Sequence, residues 1–350
     1  MTKEKILIFN ISTDSEDTAL GFAINWINKF SEYYDEIDVV TLNKGDTRLL
    51  NKNVNVYSHE SDSFNKIQKF VVLRKIIKKL IRENEYKYCL SHMTTALIVV
   101  GGTIFKFKNL NTILWYTHLG PSTILKKILL RLGANIVDKI VTASDNSFPF
   151  KMKKVSTIGH AISYNFFQDS TYGKSRDFLI LSRISRIKNI DESVQGFLNS
   201  SCGEMQSITI VGGPLTKQDE VYESYLKNKY SEYPNVKFVG PIPHSDLIPF
   251  IQKSGFHINN TPIGSYDKSV LETMAGGIVN FYNNSDYDKN IPSKYQKVLK
   301  FNGSRDDLTK KIHSVFKLKN NEIDEIISFS QNRVKNESLE TIHERIIKVI

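Results

Sequence analysis

The stretch from Asn259 to Asn280, NNTPIGSYDKSVLETMAGGIVN, decides the expected fold of this chain. Residues 256–259 predict a short strand, and residues 262–265 predict a tight turn. Apolar residues then recur with helical spacing at Val270, Leu271, Met274 and Ala275. A strand, a tight loop and a buried helix in succession are the repeating unit of an α/β domain.

The start of that helix is suited to an anion. It carries Asp267, Lys268 and Ser269, and a helix N-terminus offers unpaired N–H groups with a partial positive charge, which favour a phosphate. Glu272 follows one turn into the helix, where its carboxylate can accept hydrogen bonds from sugar hydroxyls. The alternative is that Ser265 or Asp267 simply caps an ordinary helix.

The run GSYDKSVLETMAGG resembles the signature of the family 4 retaining glycosyltransferases, whose usual pattern is E-x7-E followed by A-M-A-x-G. Glu272 matches the second glutamate, which usually holds the ribose of a nucleotide sugar. Gly264 stands where the first glutamate, the usual contact of the transferred sugar, is expected, so that contact falls to Asp267 or to backbone amides of residues 264–269. The donor-binding residues implied here are Gly264, Tyr266, Asp267, Lys268, Ser269, Val270 and Glu272.

The same resemblance implies the fold class: α/β of the GT-B type, with two Rossmann-like, doubly wound parallel-sheet domains facing across a cleft. We expect an N-terminal acceptor-binding domain at 1–163, a polar linker at 164–176 and a donor-binding domain at 177–330. The residues 331–350 are expected to end in a helix that crosses back to the first domain. A chain of 350 residues is long enough for two such domains.

Two cations follow the strand predicted at 177–182. Arg183 and Lys188 are five residues apart, before a helix predicted at 190–198. Arginine can bind diphosphate oxygens bidentately and lysine binds them as a point charge. The pair matches the G-R-x4-K element of the family, with Ser182 in place of the glycine, which implies a catalytic role for both cations. Solvated surface charges are the alternative.

Two more loops of the second domain follow predicted strands. The strand at 207–211 ends in Gly212, and the strand at 236–239 runs into Gly240 and Ile242. The resemblance implies that these residues contact the donor, and that the second loop meets the base mainly through backbone groups. The sequence therefore does not distinguish a UDP donor from a GDP donor. A proline-rich turn is the alternative for the second loop.

The first half of the chain alternates predicted strands and helices, which indicates a parallel sheet. Gly21, near the start of the first helix, resembles the family's glycine that lets a substrate approach the backbone, and a simple turn glycine is an equal alternative. His118 follows the strand predicted at 112–116, beside a Gly-Pro turn. Its place matches a family histidine near the donor sugar, which implies a catalytic role, whereas a lone histidine is more often structural.

Residues 64–84 form a predicted basic amphipathic helix, with Phe70, Leu73, Ile77 and Leu80 on one face. One interpretation is a membrane-surface helix that brings an enzyme to a lipid-linked acceptor. The stronger interpretation is a crossover helix whose apolar face covers the sheet while its lysines face water.

The composition limits the compartment and the partners. The net charge of +10 favours polyanionic partners. The charge alone does not distinguish nucleic acid, anionic lipid and phosphorylated substrates. The lysines are scattered and no nucleic-acid motif is present, so nucleic acid is not expected as a partner. Two distant cysteines and the lack of any run of ~20 apolar residues predict a cytoplasmic protein, with possible peripheral contact at the inner membrane face.

The sequence thus predicts a retaining, metal-independent glycosyltransferase of glycan biosynthesis. Its donor is a nucleoside-diphosphate sugar, its acceptor a sugar or a lipid-linked glycan, and no cofactor is expected. No metal-ligand cluster and no D-x-D pair is apparent. The alternatives are a nucleotide-sugar epimerase, a phosphorylase, or a non-catalytic nucleotide-sugar-binding protein, the last suggested by Gly264.

Overall fold

The computed structural model describes residues 4–17, 20–59, 63–121, 123–168 and 175–350. The chain divides into two compact units, one formed by Met1–Gly159 with Ile342–Ile350 and the other by His160–Thr341. Each unit contains a parallel sheet covered by helices, with seven strands described in the first and five in the second. The predicted α/β architecture of two parallel-sheet domains is confirmed.

The first unit is built on a sheet of order β3-β2-β1-β4-β5-β6-β7. Its strands are β1 (Lys5–Thr13), β2 (Glu36–Lys44), β3 (Val54–Tyr57), β4 (Cys89–His92), β5 (Thr112–Trp115), β6 (Lys139–Thr142) and β7 (Val155–Thr157). Its first four helices are α1 (Ala23–Ser31), α2 (Lys66–Glu83), α3 (Thr95–Phe107) and α4 (Ile124–Ile136). All strand pairs are parallel. Helices on both faces bury the central strands, and the residues 6–9 of β1 are fully buried.

The second unit is built on a sheet of order β10-β9-β8-β11-β12. Its strands are β8 (Phe178–Leu181), β9 (Ile208–Val211), β10 (Val236–Gly240), β11 (Phe256–Asn259) and β12 (Val279–Tyr282). Its helices are α5 (Tyr164–Gln168), α6 (Ile190–Leu198), α7 (Lys217–Lys229), α8 (Ile248–Gln252), α9 (Lys268–Ala275), α10 (Ser293–Leu299), α11 (Arg305–Val315) and α12 (Asn320–Val334). The last helix of the chain, α13 (Ile342–Ile347), belongs to the first unit.

The parallel order of the second sheet determines where its loops meet. Strands β10, β9, β8 and β11 lie side by side, so the loops that follow them emerge at one edge. In open parallel sheets, ligands bind at this carboxyl edge. The loops in question hold Gly240, Gly212, the segment 183–188 and the segment 260–267.

Several elements differ from the sequence predictions. Strands β3 and β7 were not predicted, because each is a short edge strand of three or four residues. The segment 164–176, predicted as a linker, begins with α5, in which Tyr164 and Phe167 are buried in the second unit; residues 169–174 lie outside the described part. Residues 160–163 also belong to the second unit, where Ile162 pairs with Ser338.

The basic helix α2 agrees in part with the prediction of a crossover helix. Leu73, Ile77 and Leu80 are buried against the sheet, as expected for a crossover helix. Phe70, expected on the same face, is 44% exposed. The helix starts with a capping box in which the Asn65 and Gln68 side chains exchange hydrogen bonds with each other's backbone N–H. No described helix is long and apolar enough to cross a bilayer.

Candidate active site

The centre of the candidate site is the start of α9. The side chain of Asp267 occupies the position before the helix but caps no helical N–H group. Its Oδ2 instead pairs with Lys188 Nζ at 2.7 Å and accepts a hydrogen bond from Asn259 Nδ2 at 3.1 Å. The capping interpretation is therefore wrong for Asp267. Its carboxylate holds a lysine from the neighbouring loop at the mouth of a buried helix.

Lys188 is fixed more firmly than a surface lysine. Its side chain is 9% exposed, and it ends a short 3-10 helix at 186–188. Asn189 follows in the left-handed region, with φ 46°, and its Nδ2 donates to the Asn260 backbone oxygen at 3.1 Å. The two loops after β8 and β11 are thus joined by an ion pair and a hydrogen bond, which hold the Nζ cation in place.

Arg183 differs from Lys188 in its surroundings. It is exposed at the carboxyl end of β8, and its guanidinium has no hydrogen-bond or ion-pair partner among the described residues. Arg186 lies between the two cations in sequence but is directed elsewhere, with its guanidinium 5.0 Å from the centre of the Tyr222 ring. The structure therefore separates Arg186 from the Lys188–Asp267 pair and leaves Arg183 available to a ligand.

Glu272 is buried one turn into α9, with 6% of its surface exposed. Its Oε1 lies 2.9 Å from Nε2 of His244, a residue that was not among the predicted site residues. Burial lowers the pKa of His244, but the charge and hydrogen bond of Glu272 outweigh burial and raise it overall. Burial lowers the pKa of the nearby Lys268 to about 8, an effect that Glu272 opposes. The carboxylate therefore sits between two groups that it stabilises as cations.

The glycine loops after β9 and β10 contact each other and the loop after β8. Gly212 N–H donates to the Gly240 oxygen at 3.0 Å, and Ile184 N–H donates to the Gly213 oxygen at 2.9 Å. Gly212 and Gly240 have φ of 134° and 90°. Ile242 follows on the same loop and is half-buried. These contacts join Gly212, Gly240 and the Arg183 loop at the carboxyl edge.

A buried network that the sequence did not predict supports the loop before α9. Tyr266 is 2% exposed, and its hydroxyl donates to Glu337 Oε1 at 2.6 Å. The other oxygen of Glu337 accepts from His160 N–H at 2.8 Å, and His160 Nε2 donates to the Tyr266 backbone oxygen. Asn290 Nδ2 donates to the Tyr266 hydroxyl at 2.8 Å. Tyr266 therefore supports the loop, because its hydroxyl bonds to Glu337 and Asn290 and its ring packs against His160 and Tyr287.

The other residues of the run 264–277 lie around the buried network of Tyr266 and Glu337. Asp267 N–H donates to the Tyr287 hydroxyl at 2.6 Å, which in turn donates to the Ser265 oxygen at 3.2 Å. Gly264, with φ 88°, donates its N–H to Asp286 Oδ2 at 2.9 Å. Val270 is buried in the helix, and Ser269 is partly exposed in its first turn. Asp286, 22 residues away in sequence, thus brings a carboxylate to the backbone of Gly264.

The first unit holds the two other candidate residues. His118 is exposed beyond the carboxyl end of β5, with its ring edge-on to Tyr116. Gly21 precedes α1, and a Cβ there would lie 2.6 Å from the Asp17 oxygen. That crowding requires glycine for the turn itself, so the turn interpretation accounts for Gly21. The neighbouring strand end places His92, 5% exposed, among the rings of Trp26 and Trp115.

His257 is a buried histidine outside the candidate site. Its Nδ1 donates to Asn280 Oδ1 at 2.7 Å and its Nε2 accepts from Leu181 N–H at 3.3 Å, which requires the neutral ring. Burial lowers the pKa of His257 to about 4, although the hydrogen bond to Asn280 opposes the shift. The histidine serves the core of the second unit.

We expect this histidine to make folding sensitive to acid. Its pKa is depressed in the folded state, so below pH ~6.5 the unfolded chain binds a proton that the folded chain does not, and stability falls as pH decreases towards 4. The expected loss is about 2 kcal/mol at pH 5 relative to neutral pH. Urea unfolding across this range should show a flatter pH dependence for His257→Asn. Parallel curves for the two proteins would contradict the assignment.

A metal site is not evident in the part of the chain that the structure describes, where no three His, Cys, Asp or Glu side chains are grouped to hold an ion. The basic side chains of the candidate site are Lys188, Arg183, Lys268 and His244. Lysine and arginine side chains can bind phosphate oxygens directly.

Comparison with known proteins gives matches at the level of structure. No protein-family model and no curated protein matches the chain. HepE (Alr3699) from Anabaena, solved with UDP and glucose, aligns over 99% of this chain and 98% of its own, with 15% identity and a TM-score of 0.73. A glycosyltransferase from Rickettsia africae aligns over 100% of this chain and 98% of its own, with 13% identity and a TM-score of 0.74.

Sucrose-phosphate synthase from Thermosynechococcus elongatus aligns over 99% of this chain and 98% of its own, with 13% identity and a TM-score of 0.76. Identities this low carry information on the fold alone. These whole-chain similarities, together with the two parallel sheets, confirm the predicted fold class: the chain has the GT-B, glycosyltransferase-type fold.

Proposed function

We propose that this chain is a retaining glycosyltransferase. It moves a sugar from a nucleoside-diphosphate sugar, of the UDP or GDP type, to a hydroxyl of a sugar or lipid-linked glycan. The observation that carries the proposal is the Lys188–Asp267 pair at the start of α9. It holds a largely buried cation beside a helix N-terminus at the carboxyl edge of a parallel sheet, where a diphosphate would bind.

Each donor group has a proposed partner. Arg183 and Lys188 bind the diphosphate, together with the N–H groups of the first turn of α9 at Lys268, Ser269 and Val270. Glu272 accepts hydrogen bonds from the ribose hydroxyls through the oxygen that His244 does not occupy. The loops of Gly212, Gly240 and Ile242 surround the base. Asp267 is assigned to the transferred sugar, because the Gly264 N–H already donates to Asp286.

The reaction breaks the bond between the anomeric carbon and the diphosphate oxygen, and a bond from the acceptor oxygen to that carbon forms on the same face. The acceptor proton passes to an oxygen of the leaving phosphate. Negative charge grows on that phosphate in the transition state, and fixed cations with a helix N-terminus stabilise it without reorganisation. No metal ion is needed for this step. His118 is assigned to the transferred sugar on the family resemblance alone.

The Glu272→Ala variant should bind the nucleotide less tightly. Loss of a charged hydrogen-bond acceptor is expected to cost about 1.5–3 kcal/mol, which is roughly a ten- to hundredfold rise in Kd. Isothermal titration with UDP and GDP measures it. Glu204→Ala, at an exposed carboxylate of the same unit, is the matched control. An unchanged Kd for Glu272→Ala would remove this residue from the site.

The function is tested by thermal unfolding with UDP, GDP, ADP, CMP and their sugar conjugates. A ligand at 100 times its Kd should add about 2.7 kcal/mol of stability. Stabilisation by one diphosphate series identifies the base. NMR of the products formed with candidate acceptors then determines the anomeric configuration. Stabilisation without transfer to any acceptor would favour a non-catalytic binder, and epimerisation of the donor would favour an epimerase. No stabilisation by any nucleotide would overturn the proposal.

A further inference from the structure

Helix α4 exposes an apolar face. Ile124, Leu125, Ile128 and Leu132 are 77%, 77%, 51% and 49% exposed, and their spacing places them along one side of the helix. The opposite side buries Leu130, Gly133 and Ala134, and Gly133 lies close to Thr95 of α3. Single exposed aliphatic residues are ordinary, but four on one helix face form a patch of the kind that marks an interaction site.

The charge around this patch is of one sign. Helix α4 reads ILKKILLRLGANI and contains three cations, at Lys126, Lys127 and Arg131, but no acidic residue. Lys126 and Lys127 are exposed beside Leu125 and Ile128. Arg131 is placed against the Phe150 ring, with its guanidinium 4.9 Å from the ring centre. The patch therefore presents aliphatic side chains within a positive field.

The first turns of α2 extend the same kind of surface. Ile67, Phe70 and Val71 are 76%, 44% and 45% exposed, and Lys69 beside them is partly exposed. Helix α3 packs between α2 and α4. Because α2 and α4 each follow a strand of the parallel sheet, both begin at its carboxyl edge. His118 emerges at that edge as well, so the apolar turns border the loops where a ligand of this unit would bind.

We propose that this surface, the exposed turns of α4 and α2, docks on an anionic lipid bilayer. The aliphatic and aromatic side chains enter the boundary between headgroups and acyl chains, and the lysines contact lipid phosphates. Charge complementarity selects this occupant: a second copy of the chain would bring Lys126 and Lys127 against another basic patch, which is unfavourable. The inference does not depend on the proposed transfer reaction.

Vesicle flotation of the full chain tests the docking. We expect binding to phosphatidylcholine vesicles that contain phosphatidylglycerol, little binding to phosphatidylcholine alone, and weakening by salt. The Lys126→Gln/Lys127→Gln variant should lower partitioning about thirtyfold, since each basic residue contributes ~1 kcal/mol at such a surface. The Ile124→Gln/Leu125→Gln/Ile128→Gln variant should lower it by about tenfold or more.

The matched control is Met205→Gln/Val221→Gln, which removes two apolar side chains that are 76% and 69% exposed on the second unit. It should bind vesicles as the unchanged chain does. All variants should keep their melting temperature and nucleotide response, since none of these side chains is buried. Absence of binding to anionic vesicles, or full binding by the triple variant, would overturn the proposal. Self-association that the triple variant abolishes, without vesicle binding, would assign the surface to a second copy instead.

Discussion

Turnover by the Lys188→Ala variant is expected to fall to about a hundredth or a thousandth of the unchanged rate. Loss of one preorganised electrostatic contact to a developing anion typically has this effect. Lys188 is preorganised in this sense, because its side chain is largely buried and its Nζ lies 2.7 Å from an Asp267 oxygen. Steady-state transfer of sugar from the nucleotide donor that stabilises the protein measures the loss.

A double-mutant cycle with Asp267→Asn separates two explanations of that loss. If Lys188 contacts the phosphate, the double variant stays slow, because the cation is absent in both. If Lys188 merely neutralises Asp267, removal of the carboxylate charge restores turnover, and the phosphate assignment fails. Lys227→Ala, which removes an exposed lysine paired with Glu223, is the control for a general effect of charge.

Gly212→Ala is expected to destabilise the second unit strongly, whereas Gly240→Ala should be mild. A Cβ at Gly212 would lie 2.0 Å from the Ser182 backbone oxygen, at a φ of 134° that side chains rarely adopt. A Cβ at Gly240, with φ 90°, meets nothing within 4 Å. We expect about 3 to 5 kcal/mol for Gly212→Ala and about 1 to 2 kcal/mol for Gly240→Ala.

Urea unfolding of the two alanine variants gives these energies directly. Nucleotide titration of the Gly240→Ala protein is a second measurement, which tests the proposal that the base binds beside Gly240. Equal unfolding free energies for the two variants would contradict the crowding at Gly212. The two glycines are alike in sequence context, each ending a strand, so only their surroundings separate them.

The positions of the strands and of the site loops in the second unit could be predicted from the sequence. Strands β8, β9 and β11 are largely buried apolar runs, whereas β10 is an edge strand with Lys237 and Val239 exposed. Each of the four strands ends at, or is followed by, a polar residue or a glycine at the carboxyl edge. Such runs identify parallel strands well. The edge strands β3 and β7 are too short, and too little buried, to give the same signal.

The partners of the site residues could not be predicted in the same way. His244 is 28 residues from Glu272, and Glu337 is 71 residues from Tyr266. Nothing in the local pattern of either residue indicates its partner, since only the folded sheet brings the loops together. The exposed apolar face of α4 was not predicted either, because its apolar residues have the spacing of an ordinary amphipathic helix. Their exposure depends on which side of the helix packs against α3.

The residues from 335 onward have a consequence for the order of folding. Glu337 completes the hydrogen bonds of Tyr266 and His160, and His343 bonds to the Tyr34 hydroxyl across 309 residues of chain. During synthesis the strands of the first unit leave the ribosome long before His343 does. The surface around Tyr34 therefore stays uncovered until His343 has been made. Synthesis of residues 335–350 therefore completes contacts in both units.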